Sequence, residues 1–166
     1  AYLQANGFVT IAVQDGTVTS VEKNQAAWEA WNAAQPPVDL DTLRAAKQEQ
    51  NKKALADWLA AHPLTWTDGK VYGVTEQDQT EMAINLAQYQ LAAAAGQPAV
   101  LEWHTQKKSC HTFTLEEYTA LSLAIVAYVY PYRRYLEAVK EAIYEAQSKE
   151  ELDAIEIDYG SVGAAA

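Results

Sequence analysis

The side chains with the most chemical potential crowd into one stretch, residues 102–111, which holds Glu102, His104, Cys110 and His111. Two imidazoles and a carboxylate are a zinc-ligand set. If the stretch is a hairpin in which Thr105 pairs with Cys110, His104 lies opposite His111 and Glu102 opposite Phe113. The three ligands then share one face, and Cys110 points to the other. Nothing legible in the sequence would orient the imidazoles. The plainer reading, polar residues on a solvated strand face, is therefore the expectation, with no metal and no cofactor. The second possible chemistry is a nucleophile–base pair of Cys110 with His104 or His62. The same pairing turns Cys110 away from His104, and a lone cysteine is more simply a small buried apolar residue. No catalytic residue is assigned. The chain has no Gly-rich phosphate loop, no G-x-S-x-G, no H-E-x-x-H and no paired-cysteine knuckle.

The elements that must position these groups are built around residues 114–147. Apolar or aromatic residues fall at Tyr118, Leu121, Ile125, Tyr128, Tyr132, Leu136, Val139 and Ile143, in steps of three and four. That is helical spacing. Thr114 and Glu117 form a capping box at its start. The opposite face is apolar too, at Leu123, Val126 and Tyr130, so this helix must be covered on all sides by its own chain or by another. Its uncharged run is too short to cross ~30 Å of hydrocarbon. Pro131 sits inside the pattern. The apolar steps continue in phase across it and no N-cap precedes it, so the spacing predicts one long helix, kinked near Tyr130.

The remaining elements follow from local signals. Residues 8–13 and 17–21 flank Asp15-Gly16, a strong hairpin signal, with apolar residues on both faces. Asn24 caps a short helix over residues 25–34 that carries Trp28 and Trp31. Gln35-Pro36-Pro37 ends it, and the domain boundary is placed there. A helix begins at Asp39 or Asp41 and ends before Pro63. Its polar first half reads as projecting into solvent. A second hairpin turns at Asp68-Gly69. Thr75 and Asp78 open a helix carrying Met82, Leu86 and Tyr89, closed by Gly96. After the third hairpin and the long helix, Ser148 and Glu151 cap a short last helix. The fold class is α+β and mainly helical: residues 1–35 form an N-terminal hairpin and helix, residues 39–160 a helical domain with two small hairpins, and residues 161–166 a mobile tail.

The 166 residues carry a net charge of −10. An acidic chain is repelled by nucleic-acid phosphate and by anionic lipid, so proteins are the expected partners. One cysteine permits no internal disulfide. The first residues have no signal-peptide pattern, which predicts synthesis and retention in the cytoplasm unless an assembly carries the chain out. Candidate partner-binding residues are Phe8, Ile11, Val13, Trp28 and Trp31 on the N-terminal piece, and Tyr130, Arg133 and Arg134 at the kink. Tyr, Trp and Arg dominate interface hot spots. The competing reading is that the tryptophans pack on their own hairpin and the tyrosine rings are buried with their hydroxyls at the surface.

From about residue 47 onward the chain resembles a known family. The residues that carry the likeness are W-T-D-G-K-V-Y-G-V-T leading into E-Q-D-Q, then W-H-T-Q-K-K-S-C-H-T-F-T-L-E-E-Y, then Y-P-Y-R-R-Y-L-E-A-V-K-E-A-I and the later I-D-Y-G. Together they span roughly two thirds of the chain. The family is a domain of unknown function in small tail-associated proteins of phages and prophages, mostly from Firmicutes, often encoded near baseplate or tail-fibre genes. Lys107-Lys108 at the hairpin tip and Pro131 depart from its usual pattern. The resemblance implies a non-enzymatic structural component of a phage tail, an adaptor at the baseplate or tail-fibre root. The alternative is a tail-fibre assembly chaperone that is not retained in the virion. The implied partners are other phage tail proteins or sister copies in a trimer or hexamer. The implied location is the virion tail after synthesis in the bacterial cytoplasm.

Overall fold

A computed structural model describes residues 2–5, 7–34, 39–106 and 110–165. The chain divides into two compact units, Ala1–Asp39 and Leu40–Ala166. The Gln35-Pro36-Pro37 join and the Lys107-Lys108 tip lie outside the described residues. The fold is mainly helical α+β, with small antiparallel hairpins and one long helix.

In the first unit, α1 (Tyr2–Ala5) precedes a hairpin of β1 (Val9–Gln14) and β2 (Thr17–Lys23), followed by α2 (Gln25–Ala34). The hairpin turns on Asp15 and Gly16, with φ of 51° and 78°. Two consecutive left-handed residues match the twist of paired strands, which is why Asp-Gly is favoured there. Asn24 caps α2, its Oδ1 accepting from the Ala27 N–H at 3.0 Å.

The second unit contains α3 (Leu40–Ala61), the pair β3 (Leu64–Thr65) and β4 (Val71–Tyr72), α4 (Glu76–Ala94), the pair β5 (Leu101–His104) and β6 (Cys110–Phe113), α5 (Leu115–Glu145), α6 (Lys149–Ala154) and a short 3₁₀ helix, Tyr159–Ala165. Thr75 with Asp78 and Thr114 with Glu117 form complete capping boxes at the starts of α4 and α5. α5 runs unbroken through Pro131. Its inward face buries Tyr118, Leu121, Ile125, Val129 and Tyr132 in one cluster with Tyr72, Val74, Met82, Leu101 and Trp103. Val139, Ile143, Ala146 and Leu152 form a second cluster under α3 and α6.

Two expectations are corrected. The polar first half of α3 does not project into solvent. Asn51 is buried, and its Nδ2 donates to the Leu136 carbonyl of α5 at 3.1 Å. Arg44 donates to the Ala146 carbonyl at the end of α5 at 2.6 Å, where a cation suits the helix dipole. Leu40 and Leu43 pack on the second cluster. The expected tail, residues 161–166, is anchored at its start: Val162 packs on the main core, three residues after the buried Tyr159. A polar helix docks here because its polar groups find buried partners, which apolar periodicity cannot report.

Candidate partner-binding surfaces

In the first unit the three aromatic side chains gather on one another. Phe8 is 5% exposed. Its ring meets those of Trp28 and Trp31 edge-on at 5.5 Å each, and the two indoles lie 5.2 Å apart. Phe8 is therefore not a partner-binding residue but the buried centre of its own unit. Trp28 and Trp31 cover it and keep outer parts of their rings exposed. The unit is too small to do more with two short helices.

One exposed face of the hairpin is aliphatic. Ile11 pairs with Val21, and Val13 with Val18. Directly opposite residues share a face. Val13, Val18 and Val21 are 57–59% exposed, and Ile11 is half-buried. Val18 and Val21 were not singled out from the sequence, because a spacing of three is out of phase for a strand. A bulge restores the phase: Ala12 pairs with Ser20 and Val13 with Val18, leaving Thr19 as the extra residue.

At the third hairpin the expected register is off by one residue. The pairs are Leu101 with Phe113, Glu102 with Thr112, Trp103 with His111 and His104 with Cys110. This puts Leu101, Trp103 and Phe113 together toward the core, with Leu101 and Trp103 buried. The expected register would have turned Phe113 outward beside Glu102 and His104. Packing the half-buried Phe113 ring against the core decides the matter, since a one-residue slip exchanges the faces. His104 and His111 consequently lie on opposite faces, so the set Glu102, His104 and His111 does not converge. Among the described residues no cluster of His, Cys, Asp or Glu is placed to hold a metal ion. Cys110 is exposed rather than buried. It shares a face with His104, contrary to the expected orientation, and no hydrogen bond joins these two described residues.

The tyrosines of α5 separate into three groups. Tyr118 and Tyr132 are buried. Burial pushes the Tyr118 hydroxyl above its ordinary pKa, and Asn85, which donates to it at 3.2 Å, opposes that rise. Tyr128 and Tyr135 lie partly buried with hydroxyls reaching outward, donating to the carbonyls of His62 at 3.0 Å and Glu156 at 3.4 Å. Tyr130 and Tyr144 are exposed. Leu123 (63%) and Val126 (56%) are exposed beside Tyr130 (59%). This outer face of α5 is apolar in sequence and is left uncovered by the described residues of its own unit. Arg134 is exposed with it. Arg133 turns aside and donates to Gln79 Oε1 of α4 at 2.9 Å. Both residues line an open cleft of about 740 Å³, together with Leu55, Leu59 and Leu136. No helix among the described residues is long and apolar enough to cross a membrane.

The architecture is that of a mainly helical α+β protein with exposed apolar faces on both units. Residues 41–159 match the family model described as a domain of unknown function, DUF4376, and the chain belongs to that family. The match lies wholly within the second unit. No curated protein and no solved structure matches the chain.

Proposed function

We propose that this chain is a non-enzymatic structural component of a phage tail, an adaptor at the baseplate or tail-fibre root. The tail setting comes from the resemblance of residues 47 onward to small tail-associated phage proteins. The adaptor role rests on one observation, the exposed aliphatic face of the β1–β2 hairpin at Val13, Val18 and Val21. Contiguous apolar surface of this kind marks interaction sites. A two-stranded hairpin also carries open edges, which strand addition by another chain would close. Residues 1–34 are then the attachment to the assembly, and the second unit is the body that is attached.

The test is quantitative mass spectrometry of purified particles of the encoding phage or prophage. The expected result is a fixed stoichiometry in the particle, lost when residues 1–34 are deleted. Abundance in the lysate with absence from particles would overturn the structural reading in favour of an assembly chaperone. Incorporation of a chain that starts at Leu40 would move the attachment to the second unit.

A further inference from the structure

We infer that the outer face of α5 pairs with the same face of a second copy, antiparallel about a two-fold axis at the level of Ile125. Six exposed residues lie along this face: Glu116, Ala120, Leu123, Ala127, Tyr130 and Arg134. Their steps are four, three, four, three and four, the a/d spacing of a coiled-coil seam. At 3.6 residues per turn they form a narrow stripe diametrically opposite Ile125, which is 1% exposed. The whole of α5 from Tyr118 to Tyr132 is uncharged. In a chain of net charge −10, this is where two copies can approach without repulsion.

The order of residues along the stripe selects the second copy as occupant and fixes its direction. Turned end over end about Ile125, each stripe residue meets one whose number complements it. Glu116 meets Arg134, Ala120 meets Tyr130, and Leu123 meets Ala127. Each layer joins a small side chain to a large one, or an acid to a base, and each occurs twice by symmetry. Val126 meets its own copy beside the axis. A parallel arrangement, as around a three-fold axis, sets Glu116 on Glu116, Arg134 on Arg134 and Tyr130 on Tyr130, with repulsion at both ends and crowding between. The buried stripe is about 27 Å long at 1.5 Å per residue. That is short for a permanent interface, so the association is concentration-dependent.

The inference takes the α5 face as an interface but does not need the tail assignment, and its readout is separate from particle incorporation. The experiment is sedimentation equilibrium of the full chain over a concentration series. The wild type is expected to show a monomer–dimer equilibrium. Leu123→Glu should weaken it by roughly a hundredfold or more, as loss of an interface anchor does. Because Leu123 is exposed, the melting temperature of the diluted monomer should not change. Arg134→Glu sets two acids against each other at each end, Glu116→Arg sets two bases, and each alone should weaken the dimer. Combining Glu116→Arg with Arg134→Glu should restore it. A wild type that stays monomeric throughout the series overturns the inference. So does a dimer indifferent to Leu123→Glu, or a double charge reversal that fails to recover association.

Discussion

The Tyr159 hydroxyl donates to Asn51 Oδ1 at 2.7 Å, joining two buried residues 108 positions apart. Asn51 in turn donates to the Leu136 carbonyl, so one amide ties α3 to α5 and to the C-terminal segment. The Tyr159 ring also meets Tyr135 edge-on at 5.0 Å. Tyr159→Phe keeps the ring and strands the buried Asn51 oxygen. The expected loss is ~1–3 kcal/mol in urea unfolding. A loss too small to measure would mean that the oxygen finds another partner.

Burial, aided by the neighbouring Tyr135, pushes the Tyr159 hydroxyl up to about 12 from an ordinary 10.0. Burial and the hydrogen bond to Asp68 push Tyr72 up as well. Below pH 10 both groups are protonated whether the chain is folded or not, and their contribution is fully present. Above pH 10 the unfolded chain loses these protons first, so stability falls as pH climbs toward the folded values. The contribution of these two groups should be level just below pH 10 and decline as pH climbs from there through about 12. Tyr159→Phe should flatten part of that decline. Equal slopes in the two proteins would show that Tyr159 titrates as if exposed.

Leu121 and Ile125 lie on the inward face of α5, 0% and 1% exposed. Either one changed to Ala should cost ~2–5 kcal/mol. Val126→Ala, one residue past Ile125 on the open side, should fall within ~0.5 kcal/mol in the monomer. Similar losses at Ile125 and Val126 would mean that α5 is rotated from the position described.

The second unit should fold without the first. Residues 40–166 are expected to melt cooperatively, whereas a peptide of residues 1–35 should not, because one hairpin, a four-residue helix and a ten-residue helix bury too little. Phe8→Ala, which empties the centre of the first unit, should expose Trp28 and Trp31 to a soluble quencher and leave the second unit's melting unchanged. A shift in that melting would show that the units depend on each other.

Cys110 is exposed. It should react with a thiol reagent in the native protein about as fast as in the unfolded one. Protection that disappears only on denaturation would restore the sequence-based expectation of a buried thiol.

Much of the fold was legible because its signals are local. The Thr114–Glu117 and Thr75–Asp78 boxes mark helix starts through bonds made within four residues. Asp15-Gly16 and Asp68-Gly69 mark turns through the left-handed backbone of Asp15, Gly16 and Gly69 and the Asp68 side-chain bond to the Lys70 N–H. The inward stripe of α5 follows from its period, and so does the opposite apolar face at Leu123, Val126 and Tyr130. Tertiary structure decided whatever depends on which partner a residue meets. The β5–β6 register shifted because Phe113 was needed beneath Leu101 and Trp103, and that shift separated His104 from His111. The polar half of α3 docked because Asn51 and Arg44 found backbone carbonyls far away in sequence. Phe8 was withdrawn from the surface by two tryptophans, while Val18 and Val21 were brought onto the face of Ile11 and Val13 by a bulge at Thr19. Hydrophobic period reports that a face is apolar. Only packing reports whether a face is covered, and on the outer side of α5 the described residues of the second unit do not cover it.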